Sequence, residues 1–347
     1  MVKKLIKLII CIGMLTMLMG CGQTSVAHEA EDDDDTINIG VTFDSLVIER
    51  WERDRDVFVS RARELGAEVN VQNANGDVAA QISQIEYFVD KKVDAIVIIA
   101  TDCDALSDAV AKAKKAGIKV VSYDRLISNA GTDLYISFDN YRVGELMGNA
   151  IASRTMRRGD ILMINGSPAD TNVPAVMAGF HDAIDGTSIN IVETDYCDGW
   201  KAEYAFDYVS EYLSNHPDEP PVAIMCGNDS LAGQAVKALS ERKLAGEVVV
   251  TGQDADLDAC QRIVEGTQYM TVYKPVEKLA QRAAEMTIEL IENGMVGDTD
   301  IINDGSVDVP FVKLAPVQVT ADNMDEVIIG SFHQRGEVYL NVESSTN

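Results

Sequence analysis

Polar side chains recur at one kind of place in this chain, directly after short runs of β-branched and apolar residues. Asp44 follows Phe43, Asn73 and Asn75 follow Gln72, Asp124-Arg125 follow Tyr123, and Asp139-Asn140 follow Phe138; Asn228-Asp229, Gln253-Asp254 and Lys274 repeat the habit later. Together they offer carboxylate and amide acceptors, planar guanidinium and amide donors and one ammonium. Such a set can hold a ring of hydroxyls, each of which both donates and accepts. The only two tryptophans stand among them, Trp51 in the first predicted helix and Trp200 after Asp198-Gly199, and an indole face packs well on the C–H face of a sugar ring. Any one Asp or Asn would serve equally as a helix N-cap or turn residue, and a helical Trp is more often core than a ligand contact. The whole set converging on one place is what points to a ligand.

Those positions demand a scaffold that ends many strands at one rim. From residue 37 onward, β-rich runs alternate with helical patterns: 37–43 then 49–65, 68–72 then 78–91, 94–100 then 105–116. The rhythm resumes with strands predicted at 120–123, 160–164, 190–194, 222–225, 248–251 and 270–272, most of them followed by helical stretches. This βαβ repetition builds parallel sheets, and a continuous apolar run such as Ala95-Ile96-Val97-Ile98-Ile99-Ala100 suits a strand covered on both faces. The expected architecture is α/β, two doubly wound parallel-sheet lobes joined by a hinge. A chain of 347 residues can bury two cores. The helix beginning near Val143 is the natural start of the second lobe, with a return to the first after Tyr273-Lys274-Pro275. The partition is 37–140 plus 276–309 for the N-terminal lobe and 141–275 plus 310–343 for the C-terminal lobe. Ligands of open parallel sheets bind beyond the carboxyl ends of the strands, so the polar residues there would meet in the cleft between lobes.

Residues 1–21 stand apart from this fold. Lys3, Lys4 and Lys7 lead into an apolar run, 8–19, that is too short to span a bilayer as a stable helix and reads as a secretory signal. It ends in Leu18-Met19-Gly20-Cys21, which resembles a bacterial lipobox with Met19 where a small residue is usual; Cys21 is the expected lipidation site. Residues 22–36 are polar and close with Glu31-Asp32-Asp33-Asp34-Asp35, whose like charges repel, and they read as an acidic tether. The formal net charge is −27 and grows more negative once the leader lysines are set aside. That charge repels phosphate backbones and anionic lipid, so no nucleic acid is expected as a partner and the membrane is met through the lipid anchor only. Cys11 lies in the signal and Cys21 in the lipobox, while Cys103, Cys197, Cys226 and Cys260 are widely scattered. The scattered four read as buried thiols near strand ends and in a helix, not as a disulfide framework.

Other chemistries lack their parts. Asp254-Ala255-Asp256-Leu257-Asp258 with Glu265 matches part of a calcium loop, but Ala259 holds the position where that turn requires Gly. His28, His181, His216 and His333 have no paired spacing, and the chain has no G-x-S-x-G elbow, Walker loop or G-x-G-x-x-G. Neither a metal nor a cofactor is expected. Carboxylate pairs in a sugar cleft could serve a glycosidase as acid and base, which would show as turnover. A sugar-responsive repressor of the same architecture would need a DNA-binding head where this chain carries its leader and tether.

Longer stretches are more specific. Glu49-Arg50-Trp51, Asp54-Arg55-Asp56, Tyr123-Asp124-Arg125, Ile136-Ser137-Phe138-Asp139-Asn140, Asp198-Gly199-Trp200, Gly252-Gln253-Asp254-Ala255-Asp256-Leu257 and Gly266-Thr267-Gln268 through to Pro275 resemble the D-xylose-binding proteins of ABC importers. The resemblance covers nearly the whole chain after the tether. It implies a type I periplasmic-binding-protein fold that closes on one monosaccharide, D-xylose, and presents it to an ABC permease. It also implies that Arg50, Asp124, Arg125, Asp139, Asn172, Asn228, Asp254 and Lys274 hydrogen-bond the sugar while Trp51 and Trp200 stack on it, with Asn140 a further candidate. Asn172 rests on the similar stretch Gly166-Ser167-Pro168-Ala169-Asp170-Thr171-Asn172. An anchored binder of this kind could equally signal to a membrane sensor kinase or chemoreceptor, since each partner would read the closed form.

Overall fold

The computed structural model of the protein describes residues 36–340. The secretory signal, the lipobox with Cys21 and all of the tether before Thr36 lie outside the described residues. The chain begins with β1 (Asn38–Phe43), α1 (Arg50–Glu64), β2 (Glu68–Asn73), α2 (Val78–Lys91), β3 (Ala95–Ile98), α3 (Ser107–Lys115), β4 (Lys119–Tyr123) and β5 (Leu134–Phe138). It crosses to a second lobe of α4 (Asn140–Arg154), β6 (Arg158–Asn165), α5 (Asn172–Ile184), β7 (Ser188–Tyr196), α6 (Glu203–Asn215), β8 (Ala223–Cys226), α7 (Asp229–Glu241), β9 (Val249–Thr251), α8 (Leu257–Glu265) and β10 (Thr271–Tyr273). It returns through α9 (Val276–Asn293), β11 (Asp300–Asn303) and β12 (Asp308–Leu314), and closes with β13 (Val317–Val319), α10 (Met324–Val327) and α11 (Arg335–Val338).

The first sheet runs in the order β11-β12-β5-β4-β3-β1-β2, parallel except for β11. The second runs β7-β6-β8-β9, and a parallel bridge from Thr251 to Met270 brings β10 alongside, with β13 antiparallel to it. In each sheet the opening strand lies between the second and the third, β2-β1-β3 in one lobe and β7-β6-β8 in the other. That reversal of winding direction leaves a crevice beyond the strand ends. The central strands β3 and β8 are buried along their whole length, as runs of Ala, Ile, Val, Met and Cys covered by helices on both faces must be, while the edge strand β2 is only half-covered. The doubly wound α/β architecture read from the alternation is therefore the one that forms.

One boundary differs from the sequence reading. Phe311 to Leu314 pair in parallel register with Tyr135 to Phe138, so β12 belongs to the first sheet. The division at 309/310 falls inside a strand, and the third crossing between lobes comes after Leu314. Pro310 interrupts the pattern locally but sits within β12 opposite Ile301 of β11.

Helices α4 and α5 meet at nearly backbone distance. A Cβ on Gly144 would lie 1.8 Å from the Val176 carbonyl oxygen, and one on Gly179 would lie 1.9 Å from that of Tyr141. This close approach fixes α5, whose first turn carries Asn172, Val173 and Val176 to the rim of the second sheet.

Candidate functional site

The strand ends of both sheets open on one cleft of about 460 Å³. From the first lobe come Arg50 and Trp51, at the start of α1 after β1, and Asp124-Arg125 directly after β4. From the second come Gly166 after β6, Asp170 and Asn172 at the entry to α5, and Trp200 beyond β7; Gln253-Asp254 follow β9 and Lys274 follows β10. Three of these side chains leave backbone of positive φ: Asp124 at 63°, Trp200 at 59° and Asp254 at 99°. Non-glycine residues are rarely held there, and such strain collects where side chains must be aimed.

Two guanidinium groups organise the charge. Arg50 donates from Nε to Asp54 at 3.1 Å and from Nη2 to Asp124 at 2.7 Å, and its Nη1 lies 3.8 Å from Asp254 in the opposite lobe. Arg125 donates from Nη1 to Asp44 at 2.6 Å and to the Ala100 carbonyl at 2.8 Å; its Nε makes an ion pair with Asp170 across the cleft at 2.7 Å, out of line for a hydrogen bond. Lys274 completes the cations, 3.2 Å from Asp254. Burial works to raise the Asp124 carboxyl, but Arg50, Lys274 and Arg125 together outweigh it and hold it below its ordinary value. Burial prevails at Asp44, which stays raised despite Arg125. Asp44, Asp54, Asp124, Asp170 and Asp254 outnumber Arg50, Arg125 and Lys274, so the interior repels an anion and suits an uncharged ligand rich in hydroxyls.

Trp200 lies flat against the chain. A Cβ on Gly166 would sit 2.1 Å from its ring, so only glycine lets the indole pack there, and Nε1 is pinned by a 3.2 Å hydrogen bond to Asp170. The Arg50 guanidinium stands 4.3 Å from the centre of the Trp51 ring. Buried polar atoms without a hydrogen-bond partner collect at the same place: Trp51 Nε1, Gln253 Oε1 and Asp254 Oδ1. Unsatisfied groups of this kind cost stability and mark a surface built for something else to complete.

Residues 39–295 match the periplasmic binding protein domain family. This chain belongs to that family. The D-xylose-binding periplasmic protein of Haemophilus influenzae is 40% identical over 337 residues, covering 96% of this chain and 98% of its own length. That of Escherichia coli is 41% identical over 331 residues, covering 94% and 98%. A solute binding protein from Clostridium phytofermentans, solved with bound β-D-glucose, superposes with a TM-score of 0.79 at 27% identity, covering 87% of this chain and 99% of its own. The resemblance read from the motifs is borne out over nearly the full length, and the fold is that of type I periplasmic binding proteins. A periplasmic binding protein is a receptor that releases its solute unchanged, so the chain is not an enzyme and the glycosidase alternative falls.

Of the residues singled out in sequence, the cleft of this periplasmic binding protein gathers Arg50, Trp51, Asp124, Arg125, Asn172, Trp200, Asp254 and Lys274. Asp139 is not among its lining: the carboxylate caps α4 by accepting from Arg142 N at 3.0 Å and pairs with Lys313 at 3.4 Å. Asn228 is buried beside the cleft and caps α7, accepting from Leu231 N at 2.9 Å. Asn140 acts one step back, donating to Asn172 Oδ1 at 2.8 Å, while Asn172 Nδ2 donates to the Asp124 carboxylate at 3.1 Å. Sequence reasoning passed over Asp170, which joins Arg125 to Trp200, and noted Gln253 without assigning it a role. It also passed over the aliphatic wall of Ile48, Val173 and Val176. Asp170 stood within the stretch that identified Asn172, and its acidic side chain at a helix entry was the available signal.

The four described cysteines, Cys103, Cys197, Cys226 and Cys260, are buried, each as a free thiol. Burial pushes the Cys103 and Cys197 thiols up to about 12, which keeps them inert.

Proposed function

We propose that the chain captures D-xylose in the cleft between its lobes and delivers it to the permease of an ABC importer, held at the outer face of the cell membrane by lipid on Cys21. The observation that carries this reading is the pairing of two D-xylose-binding relatives at 40% and 41% identity with a cleft of carboxylates, guanidinium groups and indoles. Asp124, Asp254, Arg50, Arg125 and Asn172 supply planar donors and acceptors to the hydroxyls and Lys274 an ammonium, with Asp170 and Gln253 added to them, and Trp51 and Trp200 supply apolar faces. Asn228, at the edge of the cleft, remains in the proposed set through the motif it belongs to. Ile48, Val173 and Val176 offer no hydrogen bond to an exocyclic hydroxymethyl group, which favours a pentose over a hexose.

The purified protein, titrated with D-xylose, D-ribose, D-glucose, L-arabinose and D-galactose by calorimetry and tryptophan fluorescence, should bind one molecule of D-xylose, with glucose weaker by about tenfold or more. Tightest binding of a hexose would overturn the pentose assignment, and binding of none of the five would overturn the sugar. For the anchor, Cys21→Ser should move the protein from the membrane fraction to the medium or periplasm. Unchanged membrane retention would rule out a lipid on Cys21.

A further inference from the structure

Arg50 opens α1, where a cation meets the positive end of the helix dipole. Its place there needs compensation, and the carboxylate one turn along the same helix provides it. Asp54 accepts from Arg50 Nε at 3.1 Å and Nη2 at 3.4 Å, and on its other side it accepts from the hydroxyl of Tyr123, the last residue of β4. With Nη2 also given to Asp124, the nitrogen least committed within the protein is Nη1, whose nearest carboxylate is Asp254 at 3.8 Å. Asp54 and Tyr123 are 1% and 2% exposed and lie behind Arg50, outside the cleft lining.

We propose that Asp54 and Tyr123 are positioning residues which hold the Arg50 guanidinium in the plane the sugar requires, and that affinity for the sugar follows the ionisation of Asp54. The inference rests on the sugar-binding reading and adds to it a pair that touches no ligand. An ionised Asp54 can accept from Arg50 and Tyr123 together. A protonated one must turn its own proton to the Tyr123 oxygen, so it gives up that donor and meets Arg50 only as a neutral, weaker acceptor. Burial raises the Asp54 carboxyl to about 6 against the opposing pull of Arg50 and Tyr123.

The groups facing Asp54 keep their charge where it titrates. Arg50 on the same helix stays protonated, and burial holds the Tyr123 phenol above its ordinary range; Asp124 beyond β4 is lowered by the cations around it despite its burial. Arg55, which lines the same small hollow as Asp54, stays cationic. The clamp is therefore intact above about pH 6 and lost as pH falls through that value.

Calorimetric titration with D-xylose between about pH 7.5 and about pH 5 tests this. The parent protein should lose affinity below about pH 6, and Asp54→Asn should bind about tenfold or more weakly at neutral pH with a flattened pH profile. Tyr123→Phe removes a hydrogen bond that favours the carboxylate, so it should still bind but with the midpoint moved upward. A tyrosine of purely structural value would leave the midpoint in place, and this variant decides the matter if Asp54→Asn does not fold. Arg50→Ala should fail to bind at any pH; if it binds normally, the reading of the site itself is wrong. If Arg50→Ala loses binding while Asp54→Asn keeps the parental affinity and slope, the positioning role is overturned. A slope that persists in an otherwise weakened Asp54→Asn would overturn the link to ionisation and assign it to Asp229, which burial raises to about 7 beneath Asp254.

Discussion

Arg125→Ala should destabilise the protein by about 3 to 5 kcal/mol at neutral pH and abolish measurable sugar binding. Arg125 is 2% exposed and stands between two buried carboxylates, Asp44 of its own lobe at 2.6 Å and Asp170 of the other at 2.7 Å. Alanine removes the cation and leaves both anions, and a stranded buried charge costs far more than the intact pair contributes. The two losses fall on different states. Asp44 lies in the lobe of Arg125, so its stranding appears in thermal unfolding of the ligand-free protein. Asp170 reaches Arg125 only where the lobes meet, so its stranding appears in closure and affinity.

The stability part carries a pH signature whose sign follows from Asp44. Burial already holds that carboxyl above its ordinary value against Arg125, and it rises further without the guanidinium. Between the ordinary carboxylate value and the raised one, the folded state binds more protons than the unfolded state, so stability falls as pH rises through that window. The deficit of Arg125→Ala in melting temperature should therefore be large at about pH 7.5 and shrink towards about pH 5, where Asp44 is neutralised by protonation. An equal deficit at both values would assign the loss to packing around Trp51, which the guanidinium approaches at 5.7 Å.

Much of the site was legible because a parallel sheet places one residue class at one address. Asp124, Asp254 and Lys274 each come within a few residues of the end of a strand, and a sequence that alternates β and α patterns reveals those ends locally. The same rule misled at Asp139. It too follows a strand, but β5 leads into the crossover to α4, and the helix takes the carboxylate as its cap. Its second partner is Lys313 of β12, the strand that sequence reading divided between the lobes. Both misplacements have one cause: β12 pairs with β5 across a long excursion through the second lobe, and no local pattern records a pairing between segments so far apart. Asp170 was hidden for a similar reason, since its partner Arg125 is supplied by the other lobe.

Asp254→Asn is the sharper probe of the ligand side, and it should weaken sugar binding by roughly thirtyfold or more. Asn tolerates the positive φ of 99° at this position better than most residues and keeps the shape of the side chain. The substitution removes only the charge that Lys274 meets at 3.2 Å and Arg50 at 3.8 Å. Asp254 Oδ1 accepts no hydrogen bond within the protein although it is buried, so little internal bonding is given up at that oxygen. The buried ammonium of Lys274 does lose its carboxylate, and some stability goes with it. Adding Lys274→Met removes the stranded charge, so the double variant should regain melting temperature while binding stays lost. Recovery of both together would mean that Asp254 serves the fold by neutralising Lys274. Recovery of stability alone would mean that neutralising the cleft is not sufficient for binding, and that the Asp254–Lys274 pair serves the sugar as well as the fold.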